Sequence, residues 1–294
     1  MTTTADWQVE LRGLILGAGT DYEVSGPWDG LGLPGLRTSD AERPLDDGDD
    51  LGADWHEGRL LKFAWHLLAD DEADALDLAQ ALTVAWGRSQ TDIEMGLQLG
   101  GRQRIVRGRP RSCEIDLDRL PQATPRAVCT FKAGDPRIYD VTEQSGQCGL
   151  QIVEGGLTFG TISPTAGGVT FGTITAGGGW ITAENEGTAD TPCVLTIEGP
   201  VTDPRVVLIA EDGTQKTVDL TLTVPGGSRV VIDSHDGTVT QDGSTSQFAA
   251  LTAESTPVRQ FRLPPGTNSL RFLAASPDAD ARLTAQWRSA WFAL

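Results

Sequence analysis

Residues 102–139 read RQRIVRGRPRSCEIDLDRLPQATPRAVCTFKAGDPRIY and combine a basic run, two strand-like runs and a short closing motif. The strand-like runs are residues 112–117 and 127–131. The rest of the chain is strongly acidic, so the basic run predicts a partner of opposite charge. Its five arginines are Arg102, Arg104, Arg107, Arg109 and Arg111.

The basic run is interpreted as a hairpin that turns near Arg107 and Gly108. It is either a solvated edge strand, whose charge prevents aggregation, or a contact between subunits. DNA binding is a third and weaker interpretation, because a net charge of −18 repels phosphate. In a closed ring each copy presents one patch to the complementary patch of the next. The densest acidic region, which would supply that complement, contains Asp40, Glu42, Asp46, Asp47, Asp49, Asp50, Asp54 and Glu57.

Length and composition favour two β-rich domains. The 294 residues exceed the usual size of one domain, and 35 glycines with 16 prolines favour many short strands. No apolar stretch approaches the roughly 20 residues that cross a bilayer, and residues 1–6 show no signal-peptide pattern. The sequence therefore predicts that the protein is synthesised in the cytosol and does not associate with a membrane.

The predicted organisation is a first domain over residues 1–146, a glycine-rich crossing segment over 147–185 and a β-sandwich over 186–294. Residues 72–86 predict the one clear helix, because they lack glycine and proline and carry acidic residues at their start. Its apolar face consists of Ala75, Leu78, Ala79, Leu82 and Trp86. Within the crossing segment, the sequence pattern of residues 156–162 recurs at residues 168–174. This repeat is interpreted either as a pair of short strands or as a flexible tether.

The patterns typical of catalysis and cofactor binding are weak or missing. The four cysteines form no C-x-x-C pair, so zinc is improbable and buried free thiols are predicted. Cys113 and Cys129 can face each other across neighbouring strands, which alone does not make a disulfide. Residues 46–50 lack the ligand spacing of a calcium loop, and residues 233–236 fit a turn better than a triad. We therefore predict no catalytic residues, metal or cofactor, and we keep Trp180 as a speculative glycan contact.

Short motifs ordered along the chain resemble the distal tail proteins of long-tailed, siphovirus-type phages. The most specific is the motif Asp135, Pro136, Arg137, Ile138 and Tyr139, which resembles the segment that closes the first domain of that family. The other motifs are residues 29–31, 43 with 47–49, 58–59, 107–110, 185–187, 199–200, 225–226, 232–233, 242–243 and 265–268. The resemblance implies a mainly β fold: an N-terminal split β-barrel, or belt, with one helix and a protruding hairpin, followed by a galectin-like sandwich.

The resemblance also implies a function. Family members form a hexameric ring at the distal end of the tail tube and join it to the tail hub and adhesion device. The implied partners are the protein itself, the tail tube protein, the tail hub protein and a receptor-binding or tape-measure protein. DNA would pass through the lumen without specific binding, and the location would be the virion after assembly in host cytoplasm. The alternative function is a carbohydrate-binding or host-receptor-adhesion protein of the tail tip.

Overall fold

The computed structural model describes residues 5–154, 158–159, 169–170, 173–176, 179–276 and 278–294. The chain divides into two compact units, Met1–Val141 with Ala290–Leu294 and Thr142–Ser289. The domain boundaries predicted from the sequence, at residues 146 and 186, remain predictions. Over the described ranges, the helices are too short or too polar to cross a membrane.

Most of the regular structure in the described residues consists of short strands. The first unit contains β1 Gln8–Leu11, β2 Leu14–Gly17, β3 Tyr22–Val24, β4 Leu36–Arg37, β5 Ala41–Glu42, β6 Asp49–Asp50, β7 Trp55–His56, β8 Leu60–Leu67, α1 Glu72–Ala85, β9 Ile93–Leu99, β10 Arg102–Asp116, β11 Arg126–Lys132 and β12 Ile138–Asp140. The second contains β13 Gln144–Gly149, β14 Ile152–Glu154, β15 Thr158–Phe159, β16 Val169–Thr170, β17 Thr173–Ala176, β18 Trp180–Asn185, β19 Thr191–Glu198, β20 Val201–Ile209, β21 Gln215–Asp219, β22 Thr223–Val224, β23 Arg229–Asp233, β24 Thr238–Gln241, β25 Thr245–Ser246, β26 Arg262–Leu263, β27 Gly266–Ser276 and β28 Arg282–Trp287. The last strand, β29 Ala290–Trp291, returns to the first unit.

The first unit is a barrel-like sheet with strand order β2-β1-β9-β10-β11-β8-β3. Strand β12 pairs with β10 on one side and with β29 on the other, so the end of the chain completes this sheet. The long β10 joins its two halves, because its first part pairs with β9 and its second part with β11. The core between these strands contains Trp65, Phe63 and Phe131, all fully buried.

The predicted hairpin turn at Arg107 and Gly108 is wrong. Both residues lie inside the uninterrupted β10, and the chain reverses earlier, at Gly100 and Gly101, which adopt positive φ angles of 58° and 72°. Gly108 has a different role, because a Cβ atom there would overlap the carbonyl oxygen of Lys132. A glycine inside a strand marks such a close backbone approach as readily as a turn.

Helix α1 confirms the predicted helix to within one residue. Asp71 caps its N-terminus, where the side chain accepts a hydrogen bond from the Asp74 backbone N–H at 2.9 Å. The helix ends at Ala85, and the next residue, Trp86, is its C-cap, whose indole Nε1 donates to the carbonyl oxygen of Thr130. The buried face of the helix, which packs into the barrel core, consists of Ala75, Ala79, Leu82 and Ala85.

The second unit contains two sheets that enclose one apolar core. One has strand order β13-β28-β19-β23-β24-β25, and the other has the order β18-β27-β20-β21. Trp287 is buried, as its alternation with Leu283 and Ala285 predicts, and its Nε1 donates to the Glu184 carbonyl oxygen at 2.8 Å. The predicted fold class is therefore confirmed: the described residues are mainly β, with a barrel-like first part, one α-helix and a C-terminal sandwich.

A 3₁₀ helix precedes β26, and the repeat contributes short paired strands. Val258–Gln260 form a 3₁₀ helix, and Arg262–Leu263 then pair with β19. In the repeat, β15 pairs with β16 and β14 with β17, both antiparallel. The remaining repeat residues, 156–157, 160–162, 168 and 171–172, lie outside the described residues.

Candidate subunit interface

Three arginines of the predicted interface pair with carboxylates of their own chain. Strand register places Arg107 opposite Glu94 across β9 and β10, with the two side chains 3.1 Å apart. Arg109 reaches Asp92, just before β9, at 2.6 Å. Such partly exposed cross-strand pairs contribute roughly 0.2–1 kcal/mol each. Part of the basic run is thus neutralised within the monomer, by residues that the sequence interpretation did not consider.

Arg104 is held by a carboxylate and an aromatic ring. Its Nη1 lies 2.6 Å from the Asp140 carboxylate, on the neighbouring strand β12. Its guanidinium carbon also lies 3.8 Å from the centre of the Trp291 ring, a favourable cation–π contact. Since Trp291 belongs to β29, the position of this arginine depends on the returning end of the chain.

Arg102 and Arg111 differ from the other three because both are exposed. Within the described part of the chain, neither forms a salt bridge. Their charges are therefore the members of the basic run that remain available to a partner.

Arg102 and Arg104 line an open groove of about 280 Å³ together with apolar residues. The apolar lining includes Leu99, Trp291 and Leu294, of which Leu294 is 43% exposed. We call this surface the arginine groove. The groove has two arginine side chains next to apolar side chains. It is therefore complementary to a segment that carries both carboxylates and leucines.

The protruding hairpin of this molecule lies at residues 36–56, which we call the acidic arm. Strands β4 and β7 form its base, and β5 and β6 form its outer part. Every residue from 35 to 55 is exposed, including the predicted interface residues Asp46, Asp47, Asp49 and Asp50. Asp50 forms an ion pair with Arg43 of the same arm at 2.9 Å. The structure thus places the acidic patch on an extension with little contact to its own monomer.

The acidic arm also exposes large apolar side chains. Leu45 is 100% exposed and Leu51 is 85% exposed, and Leu36 and Trp55 are about half exposed. Leucine side chains that stay exposed on such an extension are unfavourable in water, because burial of one leucine side chain stabilises a protein or a complex by roughly 1.5–3 kcal/mol. The interpretation of the sequence used only the charges of this segment. The exposed apolar side chains of the arm indicate an interaction surface as well.

The closing motif forms a buried polar cluster. Asp135 accepts a hydrogen bond from the Tyr139 hydroxyl at 2.5 Å and pairs with Arg137 at 3.0 Å. Burial alone would raise the pKa of Asp135, but Arg137 and the hydrogen bonds lower it below its usual value. Burial, followed by the Asp135 charge, raises the pKa of Tyr139 well above 10.

A buried arginine connects this cluster to the rest of the first unit. Arg59 is 3% exposed, and its guanidinium donates to the carbonyl oxygens of Gly30, Gly32, Pro136 and Phe292 at 2.5–3.1 Å. Desolvation lowers its pKa, while the nearby Asp135 raises it. The sequence singled out Arg59 only as part of a motif, and this connecting role was missed.

The closing motif makes the stability of the first unit depend on acid. Because the folded pKa of Asp135 is depressed, its contribution is complete above the unfolded value near 3.9 and is lost as the pH falls below it. We expect Asp135→Asn to lower the free energy of unfolding at pH 7 by about 2–3 kcal/mol. We also expect the variant to lose less stability than the unmodified protein between about pH 5 and pH 3.

Urea unfolding across this pH range measures both effects. Asp116→Asn, at an exposed carboxylate, is the control and should leave the profile unchanged. An Asp135→Asn profile parallel to that of the unmodified protein at every pH would contradict the assignment.

The speculative glycan residue, Trp180, lies at the start of β18. Its side chain is 45% exposed, and the guanidinium of Arg271 lies 5.2 Å from the centre of its ring. Arg282 and Gln147 line an open, largely polar depression beside it. An arginine on the ring competes with a sugar for the same stacking surface. The glycan contact remains a prediction.

Comparisons with known proteins agree on one family. Residues 186–291 match the family model described as the C-terminal domain of siphovirus-type tail components. No curated protein matches the chain in sequence.

Solved structures extend the likeness to nearly the whole chain. The crystal structure of the SPP1 Dit protein aligns over 96% of this chain and 98% of its own, with a TM-score of 0.63 and 13% identity. A chain of the phage P2 baseplate, in its activated conformation with Ca, aligns over 95% of this chain and 97% of its own, with a TM-score of 0.51 and 12% identity. The resemblance seen in the sequence is therefore confirmed: residues 186–291 match the C-terminal domain of siphovirus-type tail components, and the chain shares the fold of the SPP1 Dit protein.

Proposed function

We propose that six copies of this protein close into a ring at the distal end of a phage tail tube. The ring joins the tube to the tail hub and adhesion device, with a receptor-binding or tape-measure protein as a further neighbour. It assembles in host cytoplasm and remains in the virion. The role is structural, namely assembly and transmission of position, and involves no catalysis. The family of the C-terminal domain and the shared fold support this proposal.

The acidic arm is the observation that carries the proposal. In the proposed ring, the arm of one copy lies against the arginine groove of the next. Leu45 and Leu51 of the arm then become buried in the groove of the next copy. The apolar residues that they contact there are Leu99, Trp291 and Leu294. Each leucine has one aspartate next to it in the sequence, Asp46 after Leu45 and Asp50 before Leu51, so the arm presents charge beside apolar surface as the groove does.

Charge complementarity is necessary in such a ring because every copy carries a net charge of −18. Local pairs between arm and groove offset the repulsion and select the correct neighbour. The same net charge repels the phosphates of DNA, so DNA passes through the lumen without specific binding.

A charge-swap experiment tests the proposal. Arg102→Glu combined with Arg111→Glu should weaken assembly, because it replaces one cation of the arginine groove and a second exposed cation further along β10, and breaks no ion pair within the monomer. At roughly 0–1 kcal/mol for each exposed pair, the double change should weaken each contact by up to about thirty-fold. Asp46→Arg combined with Asp49→Arg should weaken assembly similarly, and the four changes together should restore it. Mass photometry over a range of protein concentrations measures the fraction of six-copy particles.

The matched control reverses two other exposed arginines of the first unit, Arg119→Glu and Arg126→Glu. It changes the net charge by the same amount and should leave assembly intact. The proposed ring fails if the unmodified protein stays monomeric at high concentration. Rings that form equally well in both reversal variants would instead reject the arm-to-groove contact.

A further inference from the structure

Two thiols of the first unit lie opposite each other on neighbouring strands. The register of β10 and β11 pairs Cys113 directly with Cys129, and their sulfur atoms are 3.6 Å apart. Directly opposed residues of antiparallel strands have Cα atoms about 4.5–5.5 Å apart, which lies within the range that a disulfide spans. A small movement of the side chains would therefore bring the two sulfur atoms to bonding distance.

The two thiols differ in access. Cys113 is partly exposed, whereas Cys129 is fully buried. The Cys129 thiol donates a hydrogen bond to Cys113, which lowers the pKa of Cys113. The same hydrogen bond, followed by burial, raises the pKa of Cys129. Cys113 is therefore the thiol that an oxidant in solution would meet first.

We propose that Cys113 and Cys129 form a site of reversible oxidation that joins β10 to β11 by a disulfide. With a low-molecular-weight disulfide such as oxidised glutathione as oxidant, the Cys113 thiolate attacks one sulfur atom and releases one glutathione. The Cys129 thiolate then attacks the Cys113 sulfur of this mixed disulfide and releases the second glutathione. Two protein thiols are oxidised and one glutathione disulfide is reduced, with both protons taken up by the released thiolates.

The position of this bond gives it a structural effect. It lies beside the bulge between Pro110 and Ser112, where the register of β10 against β11 shifts. A covalent bond there fixes the register just downstream of the basic run. It also closes a loop of about 15 residues, which constrains the unfolded chain. This proposal does not depend on the proposed ring.

Peptide mapping after incubation with oxidised glutathione tests the site. The reduced protein is incubated with an excess of the oxidant, its remaining thiols are alkylated, and the digest with trypsin is analysed by mass spectrometry. We expect residues 112–119 linked to residues 127–132, and an intact mass lower by two hydrogen atoms. We also expect the unfolding midpoint of the oxidised protein to rise by about 5–10 °C, and dithiothreitol to reverse both changes.

The other two cysteines provide the control. Cys148→Ser with Cys193→Ser should keep the linked peptide and the rise in midpoint. Cys113→Ser and Cys129→Ser, each checked for folding by circular dichroism, should lose both. A glutathione adduct that persists on Cys113 in the unmodified protein, or four thiols that remain free in an excess of oxidant, would overturn the proposal.

Discussion

Replacing Leu45 and Leu51 of the acidic arm by serine is expected to convert the assembled protein into monomers. Both side chains are almost fully exposed in the monomer, so any burial they gain comes from a neighbour. At roughly 1.5–3 kcal/mol for each leucine, the loss per contact is about 3–6 kcal/mol, which weakens association by about a hundred- to ten-thousand-fold. The free energy of unfolding of the monomer should change by less than about 0.5 kcal/mol.

Sedimentation velocity measures the oligomeric state, and urea unfolding of the dilute protein measures monomer stability. The control makes the same chemical change at exposed leucines outside the arm, Leu76→Ser with Leu117→Ser. It should leave the oligomer intact. An arm variant that still assembles at the concentration of the unmodified protein would show that the arm leucines are not buried between copies.

Removal of the buried guanidinium of Arg59 is expected to have the largest effect on stability. Arg59→Met leaves its carbonyl partners without their donor and should lower the free energy of unfolding by about 3–5 kcal/mol. Arg59→Lys should lose most of this amount as well. An ammonium keeps the charge but cannot serve several carbonyl oxygens in the planar arrangement that a guanidinium offers.

Differential scanning calorimetry detects this loss as a lower midpoint of the first unit's transition, with the second unit's transition as internal reference. Arg102→Met, at an exposed arginine, should leave both transitions in place. If Arg59→Lys is as stable as the unmodified protein, the charge alone matters and the multiple hydrogen bonds do not.

The features that sequence predicted well are those with a local physical cause. Helix α1 has an apolar face at helical spacing and an aspartate cap, and both signals lie within its own residues. The opposed cysteines follow from two neighbouring strand-like runs joined by a short connection. The closing motif places Asp135 within four residues of Tyr139, so its polar cluster is also local.

The features that sequence predicted poorly depend on residues far apart in the chain. Gly108 was interpreted as part of a turn, because the reason for a glycine at this position is not local. A Cβ atom there would overlap the Lys132 carbonyl oxygen, which comes close only when β11 pairs with β10. The pairing of Arg107 with Glu94 depends on strand register, which the charges alone do not determine. The role of Arg59 depends on a carbonyl oxygen at Phe292, on the opposite side of the second unit in sequence.

The return of β29 to the first unit has a consequence for biosynthesis. Strand β12 leaves the ribosome about 150 residues before its partner β29, which at 5–20 residues per second is a delay of roughly 10–30 s. During this interval the Ile138 edge of the barrel lacks its last strand, and Arg59 lacks the carbonyl oxygen of Phe292. The residues of the second unit, which lie between β12 and β29, can fold before the first unit is complete. Completion of the barrel, and with it the arginine groove that contains Trp291, therefore follows the synthesis of the whole second unit.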